Sequence, residues 1–531
     1  MSVRRIMGTE TEYAVTAAST PYNPIRLSYD VVNAADGYAG IRWDYRPEHP
    51  VQDMRGFAMQ RAAAPHDMLT DEAGDHVTNK VAANGGRVYV DHAHPEYSSP
   101  ETLDPFAATV YNVAGDRIMR QAVEQANTRR DAADAIRLYK NNVDGKGATW
   151  GAHENYCMSR SIPFELVVDL MTAHLVSRQL YTGAGRVGLG DHGETAGYQL
   201  SQRADYFLTH VGLQTTLQRP IINTRDESHA TDALRRLHVI AGDANRMDVP
   251  QVLKLGTTSM LLWLLEHADE TAYDLDALLA CVRLADPVDA MHRISHDLTL
   301  GEELELESGA ATTAWTMQIH LLTAVYEACA AYYGTDTKGE PVWPDRDTKS
   351  VMAMWKQALL DVAQIRHANA DERLELDGPA TRIEWFCKWR LVERMKRRLY
   401  PGETGDEALA DPRIAGIDLL WASLEPNSLY DKMRTRVEHT CSEEEIEHAM
   451  HEAPEDTRAW LRAAMVRRFP GDIAAASWST LRVRTREPDN ALYDISMEDP
   501  ADFTKERTRV MLADAHNVCE VLQSLQQYRD A

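Results

Sequence analysis

Two short stretches of the sequence place ionisable groups at alternating positions, where one face of a β-strand would gather them. The first is "RVYVD" at 87–91. If this segment is extended, Val88 and Val90 share one face and Arg87, Tyr89 and Asp91 share the other. The valines are suited to a core. The Arg–Tyr–Asp face needs a polar partner, and its residue types suit phosphate binding and acid–base chemistry.

The second stretch is "GTETEY" at 8–13, in which Glu10 and Glu12 share a face. Their carboxylates would lie roughly 7 Å apart along a strand. Two such carboxylates repel each other unless a cation lies between them or one is protonated. Mg²⁺ prefers oxygen ligands and keeps phosphate or water in its shell, so the pair predicts a magnesium site. For these two residues alone, a solvated strand face is the alternative.

The residues after the first stretch extend this chemistry. Pro95 has no N–H, so we expect it to end the strand or lie at its edge, with Glu96 at the turn that follows. Three glutamates and an aspartate, balanced by one arginine, form a plausible site for metal and polyphosphate. Arg87 would pair with phosphate in a forked geometry. Asp91 would remain as the carboxylate not used by the metal, available as nucleophile or base.

No other motif competes for this role. The chain has no GxxxxGK[ST] phosphate loop, and "GRVGLG" at 185–190 is too short a signal to predict a nucleotide site. The HExxH and GxSxG patterns are also absent, so zinc-protease and serine-hydrolase chemistry lack their residues.

The elements that would position these residues follow an α+β pattern. Strands are predicted at 5–17, 86–91 and in several segments between 135 and 244. Helices are predicted at 248–268, 312–333, 347–368 and 379–398. The strands favour an antiparallel sheet with grouped helices. Segment 36–80 is predicted to be a long functional loop within a catalytic domain 1–436, and 437–531 to be a smaller C-terminal domain.

Composition excludes some classes of partner. The formal charge of −25 argues against general binding to nucleic acid or to an anionic membrane. The six cysteines are scattered without a CxxC pair, as is typical of a reducing cytoplasm. The chain begins without an apolar signal region, and "TTSMLLWLLEHA" is far shorter than the ~20 residues of a spanning helix. We therefore expect a soluble, cytoplasmic protein.

Several longer motifs carry a resemblance to a known family: "IMGTETEY", "RVYVDHAHPEYSSPE", "LYKNNVDGKGATWGAHENY", "QLSQRADY", "IINTRDESHA", "RRLHVIAGDAN" and "DIAAASW". In these motifs the chain resembles the Pup-processing enzymes of actinobacteria, in the glutamine-synthetase and carboxylate–amine ligase superfamily. The resemblance implies a glutamine-synthetase-like antiparallel sheet cradle packed with helices, plus a small C-terminal α/β domain. "DHAHPEY", where ligases typically read a longer "DVGSHPEY", and the long segment 36–80 favour the deamidase/depupylase branch.

The resemblance also implies roles for individual residues. Asp91 would be the catalytic carboxylate. The metal ligands would be Glu10, Tyr89 and Glu96 for Mg²⁺, with Glu12 for a second metal. The ATP contacts would be Arg87, Ser99 and Trp478. Phosphate or the substrate carboxylate would be bound by Arg225 and His238, and also by His153 and Arg203. Taken singly, Trp478 also fits a core tryptophan, and the last four fit structural strand residues.

The implied activity is ATP-dependent hydrolysis in which ATP is not consumed in each turnover. The enzyme would remove Pup from lysines of pupylated proteins and deamidate the C-terminal Gln of Pup, which links it to the bacterial proteasome pathway. Because Pup is acidic, we predict a basic groove, with candidates in the helix "WRLVERMKRRLY", although a charge-rich helix is usually a solvated face. The alternatives are a Pup–protein ligase that consumes ATP and a nucleotide-occupied scaffold protein that has lost its chemistry.

Overall fold

A computed structural model describes residues 2–18, 22–38, 40–64, 69, 78–144, 147–190, 196–216, 218–402, 405–486 and 490–530. Within these residues the strands are β1 Met7–Glu12, β2 Ala14–Thr16, β3 Arg42–Trp43, β4 Gln52–Asp53, β5 Phe57–Ala58, β6 Asn79–Val81, β7 Arg87–Asp91, β8 His94–Ser98, β9 Arg137–Tyr139, β10 Ala152–Ser159, β11 Arg186–Gly188, β12 Gly197–Gln199, β13 Phe207–Gly212, β14 Arg219–Asn223, β15 Leu234–Val239, β16 Leu304–Glu305, β17 Ala311–Thr312, β18 Ile473–Ala476, β19 Thr480–Arg484 and β20 Leu492–Ser496.

The α-helices of the same residues are α1 Pro24–Ala34, α2 Pro105–Asn127, α3 Phe164–Ser177, α4 Gln179–Thr182, α5 Asp248–Thr271, α6 Leu275–Ala280, α7 Pro287–His296, α8 Ala314–Tyr333, α9 Arg346–His367, α10 Ala370–Glu375, α11 Asp377–Ala380, α12 Glu384–Leu399, α13 Pro412–Ala422, α14 Leu429–Met433, α15 Glu443–His451, α16 Ala459–Arg468, α17 Lys505–Asp514 and α18 Val518–Asp530. No helix in the described ranges has the length and apolarity needed to traverse a bilayer.

A six-stranded sheet is the centre of the fold. Its strand order is β15-β10-β1-β8-β7-β6, and every neighbouring pair is antiparallel. This confirms the α+β class with an antiparallel sheet and grouped helices. The alternation of side chains separates the two faces. Thr9 and Thr11 of β1 accept hydrogen bonds from Asn112 of α2 on the helix side. The alternating residues Glu10 and Glu12 therefore point to the opposite, open face.

The hairpin β7–β8 corrects one expectation. Pro95 does not end the strand, and Glu96 lies within β8, directly opposite Tyr89. The backbone geometry gives the reason. The Pro95 carbonyl accepts from the Tyr13 amide, and the Val90 amide donates to Thr78 in the opposite direction. Val90 and Pro95 therefore form a pair without mutual hydrogen bonds, and the missing N–H of proline falls at the break between β1 and β2.

Within the described residues, the three largest apolar cores lie around this sheet and the C-terminal strands. The largest lies under β10 and β15 against α3, α5, α8, α9 and α12. The second packs α1, α2 and α15 against the β7–β8 hairpin. The third encloses β18, β19 and β20 with α16, α17 and α18, and it also takes in Ile41 and Val81. Helix α15 follows residue 437 in the chain, yet it packs on α2 in the second core and not in the third. The domain division at residue 437 therefore remains a prediction.

The C-terminal sheet contains one strand from the N-terminal part of the chain. Its order is β20-β19-β18-β3, and β3 pairs in parallel with β18 through Arg42↔Ala475 and Trp43↔Ala476. Segment 36–80 is thus anchored at its start, where β3 to β5 form. Residues 39, 65–68 and 70–77 of this predicted loop lie outside the described residues.

Candidate functional site

A cavity of about 410 Å³ opens on the face of the six-stranded sheet that is not covered by helices. This volume is within the range typical of small-molecule sites. Its lining comprises Glu10, Tyr45, Glu48, Arg87, Tyr89, Val90, Asp91, His92, Glu96, Ser98, His153, Thr215, Arg225, Glu227, His229, Arg236, His238 and Trp478. Most of the predicted site residues are among them.

Strand register explains why the acidic residues meet. Glu12 of β1 is opposite Glu96 of β8, and Glu96 is opposite Tyr89 of β7. Directly opposed residues in an antiparallel pair have Cβ atoms about 5 Å apart. The faces that the alternating sequence pattern predicted are therefore adjacent across three strands.

One group of carboxylates is held at metal-binding distances. Oxygens of Glu12, Asp91 and Glu96 all lie within 4.8 Å of one another. Burial, and then the nearby charges of Asp91, Glu12 and Glu10, raise the pKa of Glu96 well above its usual value. A cation among these oxygens would relieve that repulsion, and an all-oxygen ligand set suits Mg²⁺.

A second group surrounds Glu10. Its carboxylate lies 3.1 Å from Nδ1 of His153 and 3.5 Å from Nε2 of His238. Burial opposes ionisation of Glu10, but the hydrogen bond with His153 and the close approach of His238 outweigh it and hold the pKa of Glu10 well below the usual value. Burial lowers the pKa of His238 to about 4, so this imidazole is neutral at neutral pH. The group therefore offers mixed nitrogen and oxygen ligands.

Glu12 and Tyr89 differ in charge. Burial opposes ionisation of Glu12, but contact with His94, whose Nδ1 is 3.3 Å away, brings its pKa to about 2. Burial and the charges of Glu96 and Glu10 raise the pKa of Tyr89 well above its usual value. Near neutral pH the site thus contains an ionised Glu12 and a protonated Tyr89.

Arg87 is enclosed by aromatic rings. Its guanidinium carbon lies 4.1 Å from the ring centre of Trp43, 3.9 Å from that of Tyr89 and 5.6 Å from that of Tyr45. Nε donates to Oδ1 of Asn79 at 2.5 Å, and Nη2 donates to the Tyr45 hydroxyl at 3.0 Å. These contacts fix the plane of the guanidinium at the cavity wall.

Trp478 and Ser99 lie at a second, smaller cavity. Trp478 lines both cavities, whereas Ser99 lines only the smaller one, which has about 80 Å³. The Ser99 hydroxyl accepts from the Thr9 amide and donates to the Pro100 carbonyl. The Trp478 carbonyl accepts from Arg462. The two predicted ATP contacts therefore lie beside the smaller cavity, where it adjoins the larger one.

The four predicted anion-binding residues have different surroundings. Arg225 lines the large cavity, and its Nε has no hydrogen-bond partner among the described residues. His153 and His238 also line it, as described above. Arg203 does not line it: this buried side chain donates to the Ile240 carbonyl, and burial lowers its pKa to about 9. The contacts of Arg203 are those of a structural residue.

Among the cavity residues that sequence reasoning missed are Arg236, Glu227 and His229. Arg236 donates to Asn155 and Glu227, and its Nη1 lies 3.7 Å from Glu10. Burial lowers the pKa of His229 to about 4. Arg236 was detectable, because it precedes His238 by two residues on β15 and so shares its face. Glu227 and His229 lie in a loop, where no periodic pattern marks them.

The predicted basic helix is mostly engaged within the protein. Arg390 donates to the carbonyls of Leu374 and Leu376, and Arg394 donates to the same Leu374 carbonyl. Arg397 pairs with Glu393. These contacts tie α12 to α10 and α11, so the basic groove for Pup stays a prediction that this helix supports only weakly.

The chain is similar to known proteins over most of its length. Residues 5–482 match the family described as Pup-ligase protein. The chain is 40% identical over 510 residues to "Pup deamidase/depupylase" of Mycobacterium tuberculosis (strain ATCC 25618 / H37Rv), covering 92% of this chain and 94% of the relative. It is 39% identical over 494 residues to "Depupylase" of Acidothermus cellulolyticus (strain ATCC 43068 / DSM 8971 / 11B), covering 90% of this chain and 91% of the relative.

Two solved structures are similar along most of the chain. One is the complex between the prokaryotic ubiquitin-like protein Pup and its ligase PafA, with a TM-score of 0.72, 25% identity and coverage of 98% of this chain and 97% of the other. The second is the Pup ligase PafA in complex with ADP, with a TM-score of 0.67, 29% identity and coverage of 85% and 90%.

Proposed function

The chain belongs to the Pup-ligase protein family, and we propose that within this family it is a Pup deamidase/depupylase. The curated relatives with that activity in their names are 39–40% identical over at least 90% of the chain. The two ligase structures are 25% and 29% identical. The substrates are Pup ending in Gln and proteins carrying Pup on lysine, and the bonds cleaved are the side-chain amide and the isopeptide bond.

The cavity on the open sheet face is the proposed nucleotide site. PafA was solved with ADP, which supports nucleotide binding by this fold. We assign ATP as the nucleotide, with its phosphates near Arg87, Arg225 and His238. Trp478 and Ser99, beside the smaller cavity, are the proposed contacts for the rest of the nucleotide.

The carboxylates fit magnesium. The raised pKa of Glu96 reflects burial and crowding with other carboxylates, which a divalent cation would relieve. We propose that Glu10, Tyr89 and Glu96 hold Mg²⁺ and that Glu12 contacts a second ion. When bound, Mg²⁺ would supply positive charge that stabilises the oxyanion developing at the scissile carbonyl.

Asp91 is the proposed catalytic residue. Of the three clustered carboxylates it is the most accessible, with 31% of its side chain exposed against 11% for Glu12. A carboxylate oxygen at this position attacks the γ-carbonyl of Pup, or removes a proton from a water that does so. The C–N bond breaks, and ammonia or the lysine amine leaves with a proton. When Asp91 attacks directly, a water then hydrolyses the anhydride between Asp91 and Pup; by either route the Pup side chain ends as glutamate and the Asp91 carboxylate is regenerated. This accessibility is the observation that carries the proposal.

The test is Asp91→Asn, assayed for cleavage of a purified Pup–lysine conjugate with ATP and Mg²⁺ present. We expect loss of cleavage with nucleotide binding retained. Asp269→Asn, at an exposed position near the end of α5, is the matched control and should keep full activity. Cleavage by Asp91→Asn at the wild-type rate would contradict the assignment of Asp91.

The second candidate is a Pup–protein ligase, favoured by the similarity to PafA over 98% of the chain. A ligase given Pup ending in Glu, ATP and a lysine-rich acceptor forms conjugate and releases ADP in equal amounts. A depupylase given the same mixture forms no conjugate. The link to the bacterial proteasome pathway follows from the substrates and is part of the proposal.

A further inference from the structure

The segment that carries β3 places one aromatic residue, Tyr45, in the wall of the large cavity and a second, Trp43, behind two residues of that wall, Arg87 and Trp478. Trp43 is the last residue of β3, and Tyr45 follows two positions later. The β3 backbone is fixed by pairing with β18, and Nε1 of Trp43 donates to Glu48 at 3.0 Å. The Trp43 ring is therefore fixed in position, and the Tyr45 hydroxyl is held by the hydrogen bond that it accepts from Arg87.

These rings hold Arg87 in one orientation. Trp43 and Tyr89 both lie about 4 Å from the guanidinium, and arginine favours such stacking against aromatic faces. The Tyr45 hydroxyl accepts from Nη2, and Asn79 accepts from Nε. Within the described part of the chain, Nη1 has no hydrogen-bond partner, which leaves it to meet a ligand oxygen.

The same tryptophan contacts the other side of the site. The ring of Trp43 meets the ring of Trp478 edge to face, with centres 5.1 Å apart. Trp478 is held in turn by Arg462, whose guanidinium carbon lies 5.0 Å from its ring centre. One aromatic residue thus connects the arginine proposed for the phosphates with the tryptophan proposed for the rest of the nucleotide.

We propose that Trp43 and Tyr45 are positioning residues for nucleotide binding. The two rings fix Arg87 so that its Nη1 points at a phosphate oxygen. Trp43 also holds the ring of Trp478 in a constant orientation relative to Arg87. The inference rests on the proposed nucleotide site. It differs from the forked contact predicted for Arg87, because Nε and Nη2 are already engaged. It assigns a role in nucleotide affinity to residues of segment 36–80.

The test measures Mg²⁺–ATP binding by isothermal titration calorimetry in the full chain, without Pup, and then KM for ATP and kcat for depupylation. We expect Trp43→Leu to weaken ATP binding at least 10-fold and Tyr45→Phe about 3- to 10-fold, with kcat at saturating ATP within twofold of wild type. Trp43→Phe keeps a ring over Arg87 and should restore affinity to within about threefold.

Phe57→Leu is the matched control, because Phe57 lies in the same segment under another arginine, Arg55, at 5.0 Å, but is half exposed. It should leave ATP affinity unchanged. The proposal is overturned if Tyr45→Phe and Trp43→Leu both bind ATP within twofold of wild type, or if Trp43→Phe loses as much affinity as Trp43→Leu. Absence of depupylation by the wild type would reject the proposed function, whereas the calorimetry would still decide the role of these rings.

Discussion

The substitution Glu101→Gln tests a buried ionic contact between the loop that joins β8 to α2 and the C-terminal part of the chain. Glu101 accepts from Nε of Arg458 at 2.8 Å and forms two contacts with Arg462. The side chains of both arginines are at most 3% exposed. The amide introduced by this substitution would keep the shape of the side chain and leave two buried guanidinium groups without a counter-charge.

The pKa of Glu101 gives the expected magnitude. Burial opposes its ionisation, but the two arginines outweigh this effect and bring the pKa from 4.5 to about 2. Each pKa unit corresponds to about 1.4 kcal/mol, so the contact contributes about 3 kcal/mol to the free energy of unfolding at pH 7. Because the folded-state pKa is depressed, this contribution is present above about pH 4.5 and is lost as the pH falls towards 2.

Urea unfolding at pH 7 measures the effect. We expect Glu101→Gln to lower the free energy of unfolding by about 3 kcal/mol or more, since removing one partner of a buried pair leaves uncompensated charge. Glu452→Gln breaks the exposed pair with Arg467 and should cost under about 1 kcal/mol. Equal losses for the two variants would refute the reasoning. Because Arg462 also binds the Trp478 carbonyl, Glu101→Gln should weaken ATP binding as well.

Four further predictions concern the β7–β8 hairpin and the residues packed around it. Burial and neighbouring carboxylates raise the pKa of Glu96, so a metal ion that binds there must displace its proton. The affinity for Mg²⁺, measured by calorimetry, should therefore rise as the pH increases from 5 to 8. An affinity that does not change with pH would contradict this prediction. Without metal, the same raised pKa makes stability fall as the pH rises from 4.5 towards the folded-state value, a slope that Mg²⁺ should remove in thermal unfolding. Gly115→Ala should cost about 1–3 kcal/mol in urea unfolding, because its Cβ would lie 2.2 Å from the Tyr97 ring; a cost near zero would show that the ring moves freely. His92 has a φ of 51°, in the left-handed region that favours glycine, so His92→Gly should raise the melting temperature slightly. A lower melting temperature would show that the contact of His92 with Asp91 at 3.0 Å outweighs the backbone strain.

The sequence predicted the two polar strand faces because side-chain alternation is a local property. Glu10 and Glu12, and Arg87, Tyr89 and Asp91, lie on the faces that a period of two assigns them. The antiparallel sheet and the long helices were predictable for the same reason, since hydrophobic periodicity depends on neighbouring residues only. The last long helix begins at Glu384 and not at 379, because Pro379 belongs to the short helix α11.

Other features depend on which strands become neighbours, and local patterns in the sequence do not reveal the strand pairing. A strand rule placed Pro95 at a strand end, yet its missing N–H is harmless where β1 breaks at Tyr13. Glu227 reaches the cavity only because the loop after β14 meets Arg236 of β15 and the backbone of His49. Such contacts join residues up to 178 positions apart, and no short pattern encodes them.

The parallel pairing of β3 with β18 sets an order of events during protein synthesis. The strand at Arg42–Trp43 leaves the ribosome about 430 residues before its partner at Ala475–Ala476. At typical elongation rates of about 5–20 residues per second, it waits about 20–90 s with its backbone groups unpaired. The rings of Trp43 and Tyr45 therefore reach their final positions only when translation is almost finished, and a nascent chain stalled before residue 470 should be unable to assemble this wall of the cavity.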